Sequence, residues 1–130
     1  MSVFGSIDIA RTGAGLSRTW LDAIAHNIAN VNTINAAGDE PFRSKVVVAS
    51  ARTDGTGVDV SAVTEARGQA PLAYDPTHPL ADEKGYVTRP VVDLAGQMAD
   101  MIAAQRSYQA NLSVVRSGRE AYEEALRLGR

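Results

Sequence analysis

The stretch "NIANVNT", residues 27–33, decides how the chain is read, because a helical apolar pattern runs into it and stops there. Four of the chain's five asparagines fall at Asn27, Asn30, Asn32 and Asn35. Asparagine competes with the helical backbone for hydrogen bonds and favours caps and turns. Upstream, Val3, Ile7, Ala10, Ala14, Ser17, Leu21, Ile24, Ile28 and Val31 repeat in alternating steps of four and three. That spacing is a heptad seam, and it predicts a long N-terminal helix. A second stripe, Ile9, Leu16, Trp20 and Ala23, passes through Gly13 about 200° around the same helix. A helix that is apolar on nearly opposite sides is covered on both. Asn27 and Asn30 continue this second stripe and turn it polar, so their amides are expected to bond to neighbouring backbone or to another subunit, and a polar contact between subunits is expected at that point.

The other end of the chain mirrors this pattern. Leu94, Met98, Met101, Gln105, Tyr108, Leu112, Val115, Arg119, Tyr122 and Leu126 form a second seam. Asp93 is placed to cap its start and Gly129 marks its end. Run antiparallel, the seams match with Val3 opposite Leu126, Ile7 opposite Tyr122, Ser17 opposite Leu112 and Val31 opposite Met98. A shift of one heptad matches almost as well. Ala103, Ser107, Ala110, Val114, Ser117 and Ala121 make a small-residue face through which another helix could approach closely. Gly5, Gly13 and Gly15 each cost the N-terminal helix about 1 kcal/mol relative to alanine, so this arm is marginal in isolation and is expected to fray in a free subunit.

Between the arms lie all five prolines and the β-branched runs. Residues 42–51 and 57–66 read as strands about an Asp54-Gly55 turn. Residues 34–41 read as a loop, and 71–90 as loop or edge strand, with "GYVT" the one clear strand. The expected fold is α+β. An N-terminal axial helix (1–33) and a C-terminal one (93–130) form an antiparallel coiled coil, and a small irregular β-containing region (34–92) joins them.

Composition excludes several functions. The 130 residues suit one domain. A net charge of −2, from 13 basic and 15 acidic residues, argues against a general nucleic-acid binder. There is no cysteine, hence no disulfide, thiol nucleophile or thiolate metal site. No run approaches the roughly 18 apolar residues of a membrane span, and no cleaved signal peptide is expected. His26 and His78 lack second ligands at metal spacing. Gly13-Ala-Gly15 and Gly55-Thr-Gly57 complete no nucleotide fingerprint. Glu120, Glu123 and Glu124 sit among Arg116, Arg119 and Arg127 at helical spacing, as a salt-bridged surface does. No catalytic residue, cofactor or metal is expected. The residues favour a structural, self-associating protein. A soluble coiled-coil adaptor or secretion chaperone is the alternative, and a wall hydrolase using Glu123 and Glu124 ranks third.

Three motifs together carry a resemblance. "NIANVNT" (27–33) resembles the segment closing the N-terminal helix of flagellar axial proteins, the rod, hook and hook-associated subunits. "YDPTHPLADEKGYVTRP" (74–90) resembles the central signature of the proximal-rod members, and "RSYQANLSVV" (106–115) the matching part of their C-terminal helix. Two positions depart from the pattern: Val91 follows Pro90 where asparagine is usual, and His26 often has asparagine in its place.

The resemblance implies a subunit of the periplasmic rod, exported by the flagellar type III apparatus without a cleaved signal. Its implied partners are copies of itself, the other rod proteins FlgB, FlgF and FlgG, and the basal adaptor FliE, with no nucleic acid and no membrane span. Ile9, Leu16, Trp20, Asn27, Asn30, Ala103, Ala110 and Val114 are the expected subunit-interface residues. Val3, Ile7, Leu21, Ile24, Ile28, Val31, Met98, Met101, Tyr108, Leu112, Val115, Tyr122 and Leu126 are the expected seam.

Overall fold

The computed structural model describes residues 3–129, and side chains from residue 5 onward, so the expected seam residue Val3 has no described side chain. Two long helices dominate: α1, Val3–Ala29, and α2, Leu94–Leu128. At 1.5 Å per residue, 27 and 35 residues give lengths of roughly 40 and 52 Å. They pack antiparallel along most of α1, in the most extensive contact of the molecule. The fold is α+β, with two small antiparallel sheets between the helices.

Close approach of the helices follows from small side chains on α1. Ala10, Ala14 and Ser17 are buried there, with Ile24 the one large aliphatic in full contact. On α2, Ala104 is completely buried. Gly13 is required by this packing, since a Cβ would come 2.8 Å from Asn111 Oδ1. Ser17 Oγ lies 3.0 Å from Ser107 Oγ and 2.9 Å from the Gly13 carbonyl oxygen.

These contacts correct the expected register. Ser17 meets Ser107 rather than Leu112, five residues earlier on α2. The buried line of α2 is therefore rotated from the apolar seam. Its least exposed residues keep Met101, Tyr108 and Val115 of the expected seam and take Gln97, Ala104 and Asn111, small or polar, where the seam had Met98, Gln105 and Leu112. Hydrophobic spacing alone ranks a leucine above a serine or an asparagine, and here backbone proximity outweighs it.

α1 stops at Ala29, short of Val31. The Asn30 side-chain amide donates to the His26 carbonyl at 2.8 Å and accepts from Thr33 Oγ1 at 3.2 Å. Tight turns closed by Asn30 N–H to Asn27 O and Val31 N–H to Ile28 O finish the helix. Asp93 occupies the N-cap of α2, but its carboxylate makes no capping bond. Gly129 ends α2 at φ −92° rather than in the left-handed conformation.

The middle forms β1 (Asn35–Ala36), β2 (Lys45–Ala51), β3 (Val58–Glu65), β4 (Leu72–Tyr74) and β5 (Tyr86–Thr88). β2 and β3 make a two-stranded ribbon with an irregularity between Val48 and Ala49. The other sheet has the order β1-β5-β4, with Val87 and Thr88 of the central strand buried. β1 and β4 lie where the sequence indicated loop or edge, because their two and three residues are too short to show a period.

The signature segment 74–90 closes on itself. Asp82 Oδ1 accepts from the backbone N–H groups of Lys84 and Tyr86, and Asp75 Oδ1 accepts from Thr77 Oγ1. Gly85 takes φ +81°, with the Tyr74 ring packed where a Cβ would stand.

Candidate assembly surface

Two anchors dock the β2–β3 ribbon on α1. At the ribbon's tip, Thr12 Oγ1 donates to the Ile9 carbonyl at 2.8 Å and accepts from Val58 N–H at 3.1 Å. Gly57 beside it has φ +135°, and any side chain there would collide with Thr12. At the other end lies Asn27, completely buried. Its Oδ1 accepts from Lys45 N–H at 2.7 Å, and its Nδ2 donates to the Lys45 carbonyl at 2.9 Å and to Gln97 Oε1 at 2.7 Å. The side-chain amide thus imitates a neighbouring strand on the edge of β2 while tying α1 to α2. Of the two kinds of partner expected for Asn27, backbone within the chain or another subunit, the fold supplies the first, and both amide N–H groups are used within the chain. The amide of Asn30 is likewise used locally.

Around these anchors the expected residues divide. Ile24 is buried; Ile7, Leu21, Ile28, Val31, Met101, Tyr108 and Val115 are half-buried. Met98, Leu112, Tyr122 and Leu126 stand exposed in the single chain. Of the expected interface, Leu16 and Trp20 are half-buried, whereas Ile9, Ala103, Ala110 and Val114 are exposed. Ala23, from the second stripe, is buried beside Lys45 and Val63 of the ribbon, so the middle region covers part of that stripe. Reading the sequence missed Gln97, Asn111 and Thr12. Their one signal was polarity inside helical apolar runs.

The chain has more surface than a compact protein of its mass. Its accessible area is 8968 Å², against about 6,600 Å² for a folded monomer of 13.8 kDa. Leu94, Met98, Ile102, Leu112, Leu126 and Leu128 of α2 are all exposed, as are Val46, Val48, Val60 and Val63 of the ribbon. Among the described residues, buried apolar side chains are few and mostly alanine. Exposed apolar surface on this scale marks association. No group of His, Cys, Asp or Glu among the described residues is arranged to hold a metal ion, and no described helix is long and apolar enough to cross a membrane.

Comparison with known proteins places this architecture. Residues 83–128 match the model of the flagellar basal body rod FlgEFG protein C-terminal region. The chain is 34% identical to the flagellar basal-body rod protein FlgC of Borreliella burgdorferi, over 97% of each chain. It is 35% identical to FlgC of Salmonella typhimurium, over 99% of each. The chain belongs to the FlgC family. FlgC proteins are structural subunits of the flagellar basal-body rod and not enzymes. The span of the match is end to end even at 29% identity, with FlgC of Bacillus subtilis. The surface described above is thus that of a rod subunit, and the dispersed carboxylates of α2 are its solvated face: Glu124 pairs with Arg127 at 3.1 Å on an exposed turn.

Proposed function

We propose that this FlgC-family subunit joins the periplasmic rod through its two terminal helices and carries motor torque as strain shared across many packed helix contacts. The observation that carries the reading is the excess of about 2,300 Å² of accessible surface over a compact monomer, together with the exposed large apolar residues of α2 and the ribbon. A standard interface takes about 800 Å² from each partner, so the excess matches two or three neighbours rather than one. Ile9, Leu16, Trp20, Ala103, Ala110 and Val114 are the side chains we assign to those contacts, together with the exposed seam residues Met98, Leu112, Tyr122 and Leu126.

The neighbours in this reading are copies of the chain, the rod proteins FlgB, FlgF and FlgG, and the adaptor FliE at the base. Export proceeds through the flagellar type III apparatus. The glycines of α1 suit that route, since they keep the helix easy to unfold. Deletion of the gene, followed by motility assay and imaging of basal bodies, tests the proposal. Cells are expected to stop swimming and to lack a completed rod. Complete rods in swimming cells would overturn it.

A further inference from the structure

The three-stranded sheet stands apart from the rest of the chain. Among the described residues, α1 packs on α2 and on the ribbon, whereas no Cα of β1, β4 or β5 comes within 8 Å of a Cα in either helix or in the ribbon. Four connections cross between the two bodies, residues 30–34, 37–44, 66–71 and 89–93. Three of them are clasped together. Arg43 and Val91 form a parallel bridge, and Val91 N–H donates to the Phe42 carbonyl at 3.0 Å. Arg43 Nη1 donates to the Gly68 carbonyl at 2.7 Å. A body held by a few connections rather than by a packed face has the build of a hinged element.

A cleft of about 400 Å³ lies between the sheet and the end of α1. Asn35 of β1 and Glu40 line it on the sheet side, and His26, Lys45 and Glu65 line it on the other. The buried Oδ1 of Asn35 has no hydrogen-bond partner among the described residues, and an unmet buried acceptor is costly. The described ion pairs, Arg52–Asp59 and Glu124–Arg127, leave out every charged group of the cleft. The guanidinium of Arg43 is committed to the Gly68 carbonyl. The His26 ring rests on Phe42, with centroids 5.4 Å apart. That leaves the Lys45 ammonium, which carries three donors on a flexible stem. Its backbone is fixed by Asn27 through both N–H and carbonyl. Glu65 stands directly across from Lys45 in the ribbon and competes for the same ammonium.

We propose that the three-stranded sheet is a flap hinged at Arg43, which closes on the end of α1 when Lys45 donates to Asn35 Oδ1 and Glu40 together. Closure gives the orphaned acceptor its partner. It turns the sheet relative to α1 and α2 without repacking the helix pair. The Glu65 carboxylate draws Lys45 back to the ribbon and favours the open flap.

The chain has no cysteine, so spin labels at R18C on α1 and E83C between β4 and β5, both exposed positions, report a single separation. Double electron–electron resonance on the full chain is expected to show two distances. Lys45→Met should shift their ratio one way and Glu65→Gln the other, each by about two- to fivefold, the range of an exposed ion pair. Glu40→Gln should move the ratio in the same direction as Lys45→Met. Arg43→Ala should broaden both distances by loosening the hinge. A single narrow distance would show a rigid sheet and overturn the proposal. So would two distances whose ratio no substitution moves, or a ratio that Lys45→Met and Glu65→Gln move in the same direction.

Discussion

The two ends of the helix pair solve opposite problems. At the Asn27 end, one buried amide satisfies both backbone groups of Lys45 and the side chain of Gln97, so α1, β2 and α2 are finished against one another. At the other end α2 continues with leucines in solvent and none of the described part of α1 beside them. The first end specifies the subunit's internal geometry through polar bonds that admit one arrangement. The second leaves apolar surface that is non-directional and fits whatever packs on it. A subunit that must hold its own shape and also join neighbours places specificity inside and hydrophobic area outside.

The sharpest way to break the contrast is a proline at Ile24, whose side chain is 2% exposed. Proline removes a helical hydrogen bond and clashes with the preceding turn, at a cost of about 3 kcal/mol or more, and the lost packing adds to it. Against the marginal stability of a small domain, the variant is expected to lose most of its helical circular dichroism at 37 °C and to be missing from rods. A variant that retains native helicity would show that α1 is not held as described.

Next in size is Asn27→Ala. It strands the Lys45 N–H and carbonyl and the Gln97 amide, and the expected loss is about 3 kcal/mol. At about 3–6 °C per kcal/mol for a chain of this length, the melting temperature should fall by about 9–18 °C. Hydrogen exchange should rise first at Lys45, before it rises in the middle of α1. A uniform rise along α1 instead would mean that the amide stabilises the helix and not the junction.

These residues also mark how much of the molecule the sequence discloses. Both helices, the β2–β3 ribbon, β5 and the axial family were legible, because long apolar periods and a three-part motif are written in residue types. The register was not. It is set by Gly13, Ser17, Ser107 and Asn111, residues whose value lies in letting backbones approach, and hydrophobic spacing placed Gly13, Ser17 and Ser107 on separate stripes without showing that they meet. The choice of partner for Asn27 was open for a related reason. An asparagine on an apolar stripe signals an unmet need for partners, but only the fold shows that β2 supplies them from 18 residues away. Candidate assembly residues were easier to name, since Met98 and Leu126 are large, apolar and periodic. The same spacing that marked them as seam left open whether the chain itself or a neighbour covers them.

Leu126→Ala sharpens the comparison from the free end. An exposed leucine with no buried role should change the stability of the purified chain by less than about 0.5 kcal/mol. Its melting curve should overlay that of the parent, while co-sedimentation with basal bodies should decline. The variant separates the two ends: Asn27→Ala is expected to damage the isolated chain, and Leu126→Ala only its assembly. A lowered melting temperature for Leu126→Ala would put Leu126 in the subunit's own core and erase the contrast.

The smallest effect is expected at the ribbon's tip, where an acidic side chain holds a turn that faces solvent. Asp54 Oδ1 accepts from the Thr56 hydroxyl at 2.7 Å and from the Thr56 N–H at 2.9 Å. These bonds, the hydroxyl's foremost, hold the carboxyl below its ordinary value of 3.8. Arg52, its own value raised by its bond to Asp59, closes the base of the same turn at 2.7 Å. For Asp54 the charged form is favoured in the folded turn. Its contribution is therefore fully present above about pH 4 and lost as pH falls through the lowered folded value. Amide exchange at Thr56 and Gly57, followed by NMR from pH 6 downward, should accelerate beyond its intrinsic pH trend only in that acid range. The Lys45 amide, held by an uncharged partner, should show no such step. Asp54→Asn, which keeps an acceptor oxygen but cannot titrate, should abolish the acid step while preserving the turn. If the step persisted in that variant, Asp54 would not be its source.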